Sequence, residues 1–358
     1  MKAVVIKEVG VLEVQDVPET EPSPDEIKVK IAYAGICGTD QKVFEGTFGD
    51  KGNFSGAIGL PPKTISTRDP VTHLEMRGGM RILGHEASGT IAKIGKDIKG
   101  DFKVGQRVAM NFLSPCGNCY YCVNGKADFC ERTAPVSGAM AEYSYYRENI
   151  VFPLPDDVPL DAGALLEPTT VALSTLENVH VEVGDSVIIT GGGPIGLLAL
   201  QLAIRLGASK VLFSEPIAEK RKLAKQLGAD VVVDPLTDDL LEISNRFTGG
   251  RGFNICIEAS GVETVANQLI LLAARGGRIV FVANYSPDFK LGAPLFYMHM
   301  RRLSIHTTIP SPYLFPKALQ MLPKLELKPL ITVYPLQDAI KAFEAHKTSK
   351  YIQIMLKP

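Results

Sequence analysis

Four cysteines, Cys116, Cys119, Cys122 and Cys130, recur as C-x2-C-x2-C-x7-C, and no other stretch restricts the possible folds of this chain so sharply. Thiolates at such spacing can converge on one tetrahedral Zn²⁺, the short steps making tight turns and the longer one closing the cage. A short lobe rich in Gly, Asn and Pro cannot build a core of its own, so a metal is the simplest way to order it. The alternative is a run of buried or disulfide-paired cysteines. Four thiolates leave no open coordination position, so the site is read as structural. It marks an architecture and does no chemistry.

The chain has 358 residues, more than one core usually supports, so two domains are expected. A hydrophobic content of 46% with 22% charged residues describes an ordinary soluble globular protein. With a formal net charge of −1 and no basic run, there is no electrostatic reason to bind nucleic acid or an anionic membrane. The opening MKAVVIKE reads as a strand and not as a signal peptide, because charges interrupt it before an apolar run forms. Other apolar stretches are too short to cross a bilayer. Six cysteines, most of them candidate metal ligands, fit a reducing compartment, and the cytoplasm is the expected location.

Residues 1–155 read as short strands broken by Gly and Pro: Ala3–Ile6, Glu26–Ala34, Glu86–Ile94, Arg107–Met110 and Glu142–Tyr146. Such spacing predicts a β-rich, barrel-like domain. From 156 the pattern changes to strands alternating with helices. Strands are expected at Ser186–Thr190, Lys210–Ser214, Val231–Val233, Phe253–Glu258 and Arg278–Ala283. Helices fall between them, the last over Glu263–Ala274. Alternation of this kind marks βαβ units and a parallel sheet, so residues 156–290 form an α/β domain. Beyond 290 the chain turns irregular, and its final apolar run, Ile352–Leu356, is expected to rejoin the first domain, which residues 291–358 complete.

Gly191, Gly193 and Gly196 form G-x-G-x-x-G between a predicted strand and a predicted helix, with Pro194 and Ile195 inside the turn. The first glycine allows the tight turn, the second lets a pyrophosphate approach the backbone, and the third lets helix pack on strand. The phosphates then meet the helix N-terminus and its dipole. A plain glycine turn is the alternative. Glu215 lies about 20 residues further on, where a carboxylate can accept both ribose hydroxyls of NAD and repel the extra phosphate of NADP. Lys220 and Arg221, one helical turn later, soften that preference, and NAD is the expected cofactor.

Three further segments carry metal-ligand chemistry. Cys37 stands in Gly35-Ile36-Cys37-Gly38-Thr39-Asp40, His85 and Glu86 in Gly84-His85-Glu86-Ala87-Ser88-Gly89, and Glu167 in Leu166-Glu167-Pro168. A catalytic zinc needs a few protein ligands and one vacancy, and Cys, His and carboxylate are the right types. Singly each has a bland reading: Cys37 as a small buried hydrophobe, Glu167 as a helix N-terminal charge, Thr39 as a turn residue.

In their order along nearly the whole chain, these motifs resemble the zinc-containing branch of the medium-chain dehydrogenases, the alcohol dehydrogenase family. The flanks Gly105-Gln106-Arg107-Val108 and Cys116-Gly117-Asn118-Cys119 are similar to that branch, and Gly-His-Glu with Leu-Glu-Pro looks like its sorbitol (polyol) dehydrogenase group. The resemblance implies a doubly wound Rossmann domain inserted in a β-rich, GroES-like catalytic domain. It implies two zinc ions per chain, one structural and one catalytic. Cys37, His85 and Glu86 would surround the catalytic ion, with Glu167 a further ligand or a water-bridged partner. Asp40 would accept a hydrogen bond from His85 and fix its ring, and Thr39 would shuttle the alcohol proton. The expected partner is a small-molecule alcohol, and the expected assembly a homo-oligomer, dimer or tetramer.

Two departures from that family stand out. Lys42 occupies the position where many relatives carry a relay histidine, leaving water, the cofactor ribose or Lys42 itself as the proton's exit. The interval from Cys37 to His85 is also about twice that in most relatives, the excess falling in Thr47–Arg81. In the family this stretch borders the active-site cleft, which leaves a lid, a contact to a neighbouring subunit or a plain surface insertion. The leading reading is an NAD-dependent zinc enzyme oxidising a secondary hydroxyl of a polyol, sugar or cyclitol. A threonine-type amino-alcohol dehydrogenase is the alternative within the same chemistry. A non-catalytic nucleotide-binding scaffold is the alternative outside it.

Overall fold

The computed structural model describes residues 1–46, 76–77, 80–135, 138–285 and 289–358, so most of the inserted stretch Thr47–Arg81 lies outside the described residues. The chain divides into two compact units, Met1–Glu167 with Ser311–Pro358, and Pro168–Pro310.

The first unit opens with an antiparallel pair, β1 (Lys2–Glu8) and β2 (Val11–Asp16), followed by the long β3 (Glu26–Gly35) and helix α1 (Gly38–Phe44). Two short strands, β4 (Met76–Arg77) and β5 (Met80–Ile82), extend the β1 sheet. Then come β6 (Glu86–Ile94), β7 (Arg107–Met110), β8 (Leu113–Ser114) and the short α2 (Tyr120–Val123). The strands β9 (Ala134–Pro135), β10 (Tyr143–Arg147) and β11 (Val151–Pro153) follow, with α3 (Leu160–Gly163) after them; α4 (Leu166–Asn178) starts at the end of this unit and lies mostly in the second. β11, β7, β6 and β3 lie side by side in one antiparallel sheet, with β10 also paired to β3. Val4, Ile27, Val29, Ile91, Val108 and Met110 form part of one buried core. A β-rich unit follows because these segments are short, β-branched and punctuated by turns.

The second unit is a parallel sheet of six strands: β12 (Ser186–Thr190), β13 (Lys210–Ser214), β14 (Val231–Val233), β15 (Phe253–Glu258), β16 (Ala273–Phe281) and β17 (Ser304–Thr307). The helices α5 (Pro194–Arg205), α6 (Ala218–Gln226), α7 (Leu240–Thr248), α8 (Glu263–Leu272) and α9 (Leu295–Arg301) connect or flank them. The spatial order is β14-β13-β12-β15-β16-β17, the doubly wound arrangement, with its switch point between β12 and β15. Every residue of β12 is buried, as a central parallel strand covered on both faces requires. α7 is closed at both ends by its sequence, Asp239 accepting from the N–H of Glu242 and Gly249 taking the left-handed turn.

The chain returns to the first unit through α10 (Phe315–Met321), β18 (Ile331–Pro335), α11 (Ala339–Lys347) and β19 (Gln353–Lys357). β19 pairs with β3 and β18 with β19, completing the large sheet. Two expectations shift here. The expected boundaries at 155/156 and 290/291 move to 167/168 and 310/311, because residues 291–310 are not irregular: they hold α9 and β17, and β17 pairs in parallel with β16. β17 is a largely exposed edge strand and lacks the continuous apolar run that announces its central neighbours. The helix expected over Glu263–Ala274 stops at Leu272, and Ala273 already pairs with Phe253 as the start of β16.

Candidate functional site

Sheet register brings the first cluster together. Gly35, the last residue of β3, lies opposite Glu86, the first residue of β6. The chain beyond Gly35 therefore delivers Cys37, at the N-terminus of α1, beside His85 and Glu86. One donor atom from each of Cys37, His85 and Glu86 lies within 4.8 Å of the others. A soft thiolate, an imidazole and a carboxylate, brought from two chain segments to that spacing, match the donor set of an open zinc site. Glu167 stands outside this triad, buried at the start of α4.

Asp40 braces two of the three donors. Its carboxylate accepts from the N–H of Cys37 at 3.0 Å and the N–H of Gly84 at 3.2 Å, and His85 Nδ1 lies 3.7 Å from Oδ1. The other face of the imidazole packs on Phe112, ring centroids 4.9 Å apart. Burial works against a charged His85, yet the neighbouring Asp40 and Cys37 together raise its pKa well above the usual imidazole value. Burial, and then the charge of Glu86, raises the Cys37 thiol. The carboxyls of Glu86 and Glu167 are both pushed upward by burial, Glu86 further by the charge of Glu167. So many like charges at one buried point resist ionisation until a cation joins them. Thr39 Oγ1 is buried without a hydrogen-bond partner among the described residues. Lys42 lies in the last turn of α1.

Two residues that sequence reasoning missed shape this point. Gln353 of β19 donates from Nε2 to Glu86 Oε2 at 2.8 Å and is buried. Gly35 leaves the room that the Glu86 carboxylate fills: a Cβ there would collide with Oε2 and stand 2.7 Å from Gln353 Nε2. No spacing rule links Gln353 to Glu86, since only the strand order β6-β3-β19 makes them neighbours.

The four-cysteine lobe forms the second cluster. The four sulfurs lie within 4.8 Å of one another, with Cys116–Cys122 and Cys119–Cys130 each 3.9 Å apart. A tetrahedron of sulfurs about 2.3 Å from a central zinc has edges of about 3.8 Å, so the cage fits the ion. A disulfide would need about 2.05 Å, and all six cysteines are free. Backbone N–H groups prepare the thiolates: Cys116 and Arg132 donate to Cys130 Sγ at 3.3 and 3.4 Å. The Asn118 N–H leads in lowering Cys116 to about 6, and that of Cys122 in lowering Cys119. Outside the spacing pattern, Tyr313 donates to the Cys122 carbonyl at 2.9 Å and Ser311 to Asp128 at 2.7 Å, tethering the lobe.

In the second unit β12 runs into the glycine turn. Gly191 has φ +97°, and a Cβ on it would stand 2.7 Å from the Ser260 nitrogen. A Cβ on Gly196 would collide with the Gly191 carbonyl, so α5 packs directly on the turn. Above Gly193 the space is open: no described atom lies within 4 Å of where its Cβ would be. That is the opening through which a pyrophosphate can reach the backbone, with Pro194 and Ile195 half-buried at the start of α5. Glu215, just past β13, is buried, and its carboxylate accepts from the N–H groups of Gly192 and of Ile217, the latter at 2.9 Å. A carboxylate offers about four lone-pair positions, so two remain for ribose hydroxyls. Arg221 donates to the Glu215 carbonyl at 2.7 Å and pairs with Asp234 at 2.9 Å, which neutralises it. Burial lowers the pKa of Lys220, with Glu215 opposing.

Comparison with known proteins agrees with both units. Residues 23–156 match the alcohol dehydrogenase GroES-like domain and residues 194–324 the zinc-binding dehydrogenase domain. Human sorbitol dehydrogenase is 31% identical over 359 residues, covering 97% of this chain and 93% of that one. D-arabitol-phosphate dehydrogenase of Enterococcus avium is 30% identical over 355 residues, covering 95% and 92%. The crystal structure of galactitol-1-phosphate dehydrogenase from Escherichia coli superposes with a TM-score of 0.83, at 26% identity and over the full length of both chains. Two matched domains and end-to-end similarity identify an oxidoreductase fold, and the chain belongs to the zinc-containing medium-chain dehydrogenases of the alcohol and polyol dehydrogenase family.

Proposed function

We propose that this protein oxidises a secondary hydroxyl of a polyol, sugar or cyclitol with NAD, using two zinc ions per chain, one catalytic and one structural. The observation that carries the reading is the triad of Cys37, His85 and Glu86, whose donor atoms converge within 4.8 Å. These three would hold the catalytic ion, with Glu167 as a further or water-bridged ligand. Cys116, Cys119, Cys122 and Cys130 would hold the structural one. When bound, zinc supplies the Lewis acidity that makes the alcohol a stronger acid, and NAD takes the hydride from the carbinol carbon. The chain's own residues do the rest. Asp40 keeps the His85 ring and the Cys37 backbone in place, and Gln353 orients Glu86. The Thr39 hydroxyl, without a hydrogen-bond partner among the described residues, would accept and pass on the alcohol proton. Glu215 offers its spare lone pairs to the ribose, while its charge repels a 2′-phosphate. The names of the polyol and polyol-phosphate relatives support the substrate class. Six free thiols fit the cytoplasm. Among the described residues no helix is long and apolar enough to cross a membrane.

One assay tests substrate class and cofactor together. With a panel of polyols, cyclitols, sugars and threonine followed by NADH absorbance, turnover is expected on members of the first three classes. On the best of them, kcat/KM with NAD is expected to exceed that with NADP at least about tenfold, roughly 1.4 kcal/mol. Glu215→Gln should narrow that ratio. Equal efficiency with both dinucleotides removes the assigned role of Glu215.

We further propose a homo-oligomer joined through the edge of the six-stranded sheet. β17 pairs only with β16 among the described residues, and Ile305 on it, with Leu295, Phe296 and Met300 of α9, is exposed. An apolar sheet edge of this kind invites a second strand, and a second copy supplies one by symmetry. Sedimentation is expected to show a dimer or larger assembly that Ile305→Lys dissociates; a native chain that sediments as a monomer at micromolar concentration contradicts the proposal.

A further inference from the structure

A buried acid in the second unit has no part in the scheme above. Glu258 ends β15, is fully buried, and pairs with no lysine or arginine among the described residues. A lone carboxylate in that setting persists only if donors surround it, and here they do. Oε1 accepts from the Ser260 N–H at 2.7 Å and from the Ser260 hydroxyl, and the Thr190 hydroxyl stands 3.3 Å away. Oε2 accepts from the Gly261 N–H at 3.2 Å and from the Tyr285 hydroxyl.

The donors matter because of where they come from. Thr190 ends β12, directly before the glycine turn, and is the register partner of Glu258. Ser260 and Gly261 form the loop between β15 and α8. Tyr285 belongs to the segment after β16 and stacks on Phe289, ring centroids 5.0 Å apart. One carboxylate therefore ties three successive loops at the carboxyl ends of β12, β15 and β16, around the switch point where open α/β sheets bind their ligands. It also sets the wall of the glycine turn, since the Ser260 nitrogen it holds is the atom closest to where a Cβ on Gly191 would stand.

We propose that Glu258, with Tyr285, is a positioning residue for the dinucleotide: it fixes the three loops that frame the crevice and so sets cofactor affinity. The proposal rests on the dinucleotide reading of this unit. Its chemistry predicts the behaviour of variants. Glu258→Gln keeps the volume but turns an amide N–H₂ toward Gly261 N–H and Tyr285. The Tyr hydroxyl can rotate to accept, while the backbone N–H cannot. The Gly261 bond is lost and its loop released. Tyr285→Phe removes one donor and leaves the rest.

The test titrates NADH by its fluorescence into native enzyme, Glu258→Gln and Tyr285→Phe, and measures zinc content and steady-state kinetics on each. Glu258→Gln is expected to raise the NADH Kd and the KM for NAD at least about tenfold. Tyr285→Phe is expected to raise both about threefold, with zinc content unchanged and kcat altered less than either. A native chain that binds no NADH would instead refute the dinucleotide reading itself. Native binding with unchanged Kd in Glu258→Gln overturns the present proposal, as does a fall in kcat with KM unmoved. Should Glu258→Gln not fold, Tyr285→Phe decides alone, and an unchanged NADH Kd there overturns the proposal.

Discussion

Cys37→Ser or His85→Ala is expected to bind one zinc per chain where the native protein binds two. Turnover should fall at least about a thousandfold, while NADH binds almost as before. The metal donors sit in the first unit and the glycine turn in the second, on different residues of different sheets. Loss of one should leave the other. Lewis-acid stabilisation of developing charge is worth several kcal/mol, and about 4 kcal/mol corresponds to the thousandfold. Elemental analysis, alcohol-dependent NADH formation and NADH fluorescence measured on the same preparations check all three parts. A variant that keeps two zinc ions and full activity removes the catalytic assignment of the triad. Loss of activity together with NADH binding points to a folding defect and is distinguished by the melting transition of the second unit.

Cys119→Ser or Cys130→Ser is expected to act in the opposite way, on stability before chemistry. The lobe from Cys116 to Cys130 has as its buried apolar core little more than Cys119, Cys122 and Ala127. The metal would thus supply most of the free energy that holds the lobe together. Its two tethers, Tyr313 to the Cys122 carbonyl and Ser311 to Asp128, bind a lobe that already has its shape. A fall in melting temperature of at least about 5 °C, with one zinc lost and the other kept, is the anticipated result. Chelation of the native protein should reproduce it. An unchanged melting temperature with both metals present would leave the four cysteines without a structural role.

Local chemistry made much of this fold legible. The strand Ser186–Thr190, the glycine turn and the start of α5 follow from a continuous apolar run meeting G-x-G-x-x-G, and the structure holds each where it is expected. The convergence of Cys116, Cys119, Cys122 and Cys130 was legible for the same reason, since four thiols within fifteen positions constrain one another. Information that lives between distant segments was not. β17 escaped notice because its residues are mostly exposed and form no apolar run. Gln353 reaches Glu86 only through the order β6-β3-β19, and Glu258 gathers donors from three loops that share no motif.

The return of β19 to β3 carries a consequence for how the protein is made. Synthesis runs from the N-terminus, and domains fold as units once their residues have emerged. Residues 168–310 are continuous, so the second unit can close while the chain is still growing. The first unit cannot. Its large sheet lacks β18 and β19 until Ile331–Lys357 have been made, and until then Glu86 lacks the amide of Gln353 that holds its carboxylate. The growing chain can thus hold a closed second unit while the setting of Cys37, His85 and Glu86 in the first is still unfinished. The side chains of Cys37, His85 and Glu86 reach their final setting only after Gln353 has been made, later than the second unit can close.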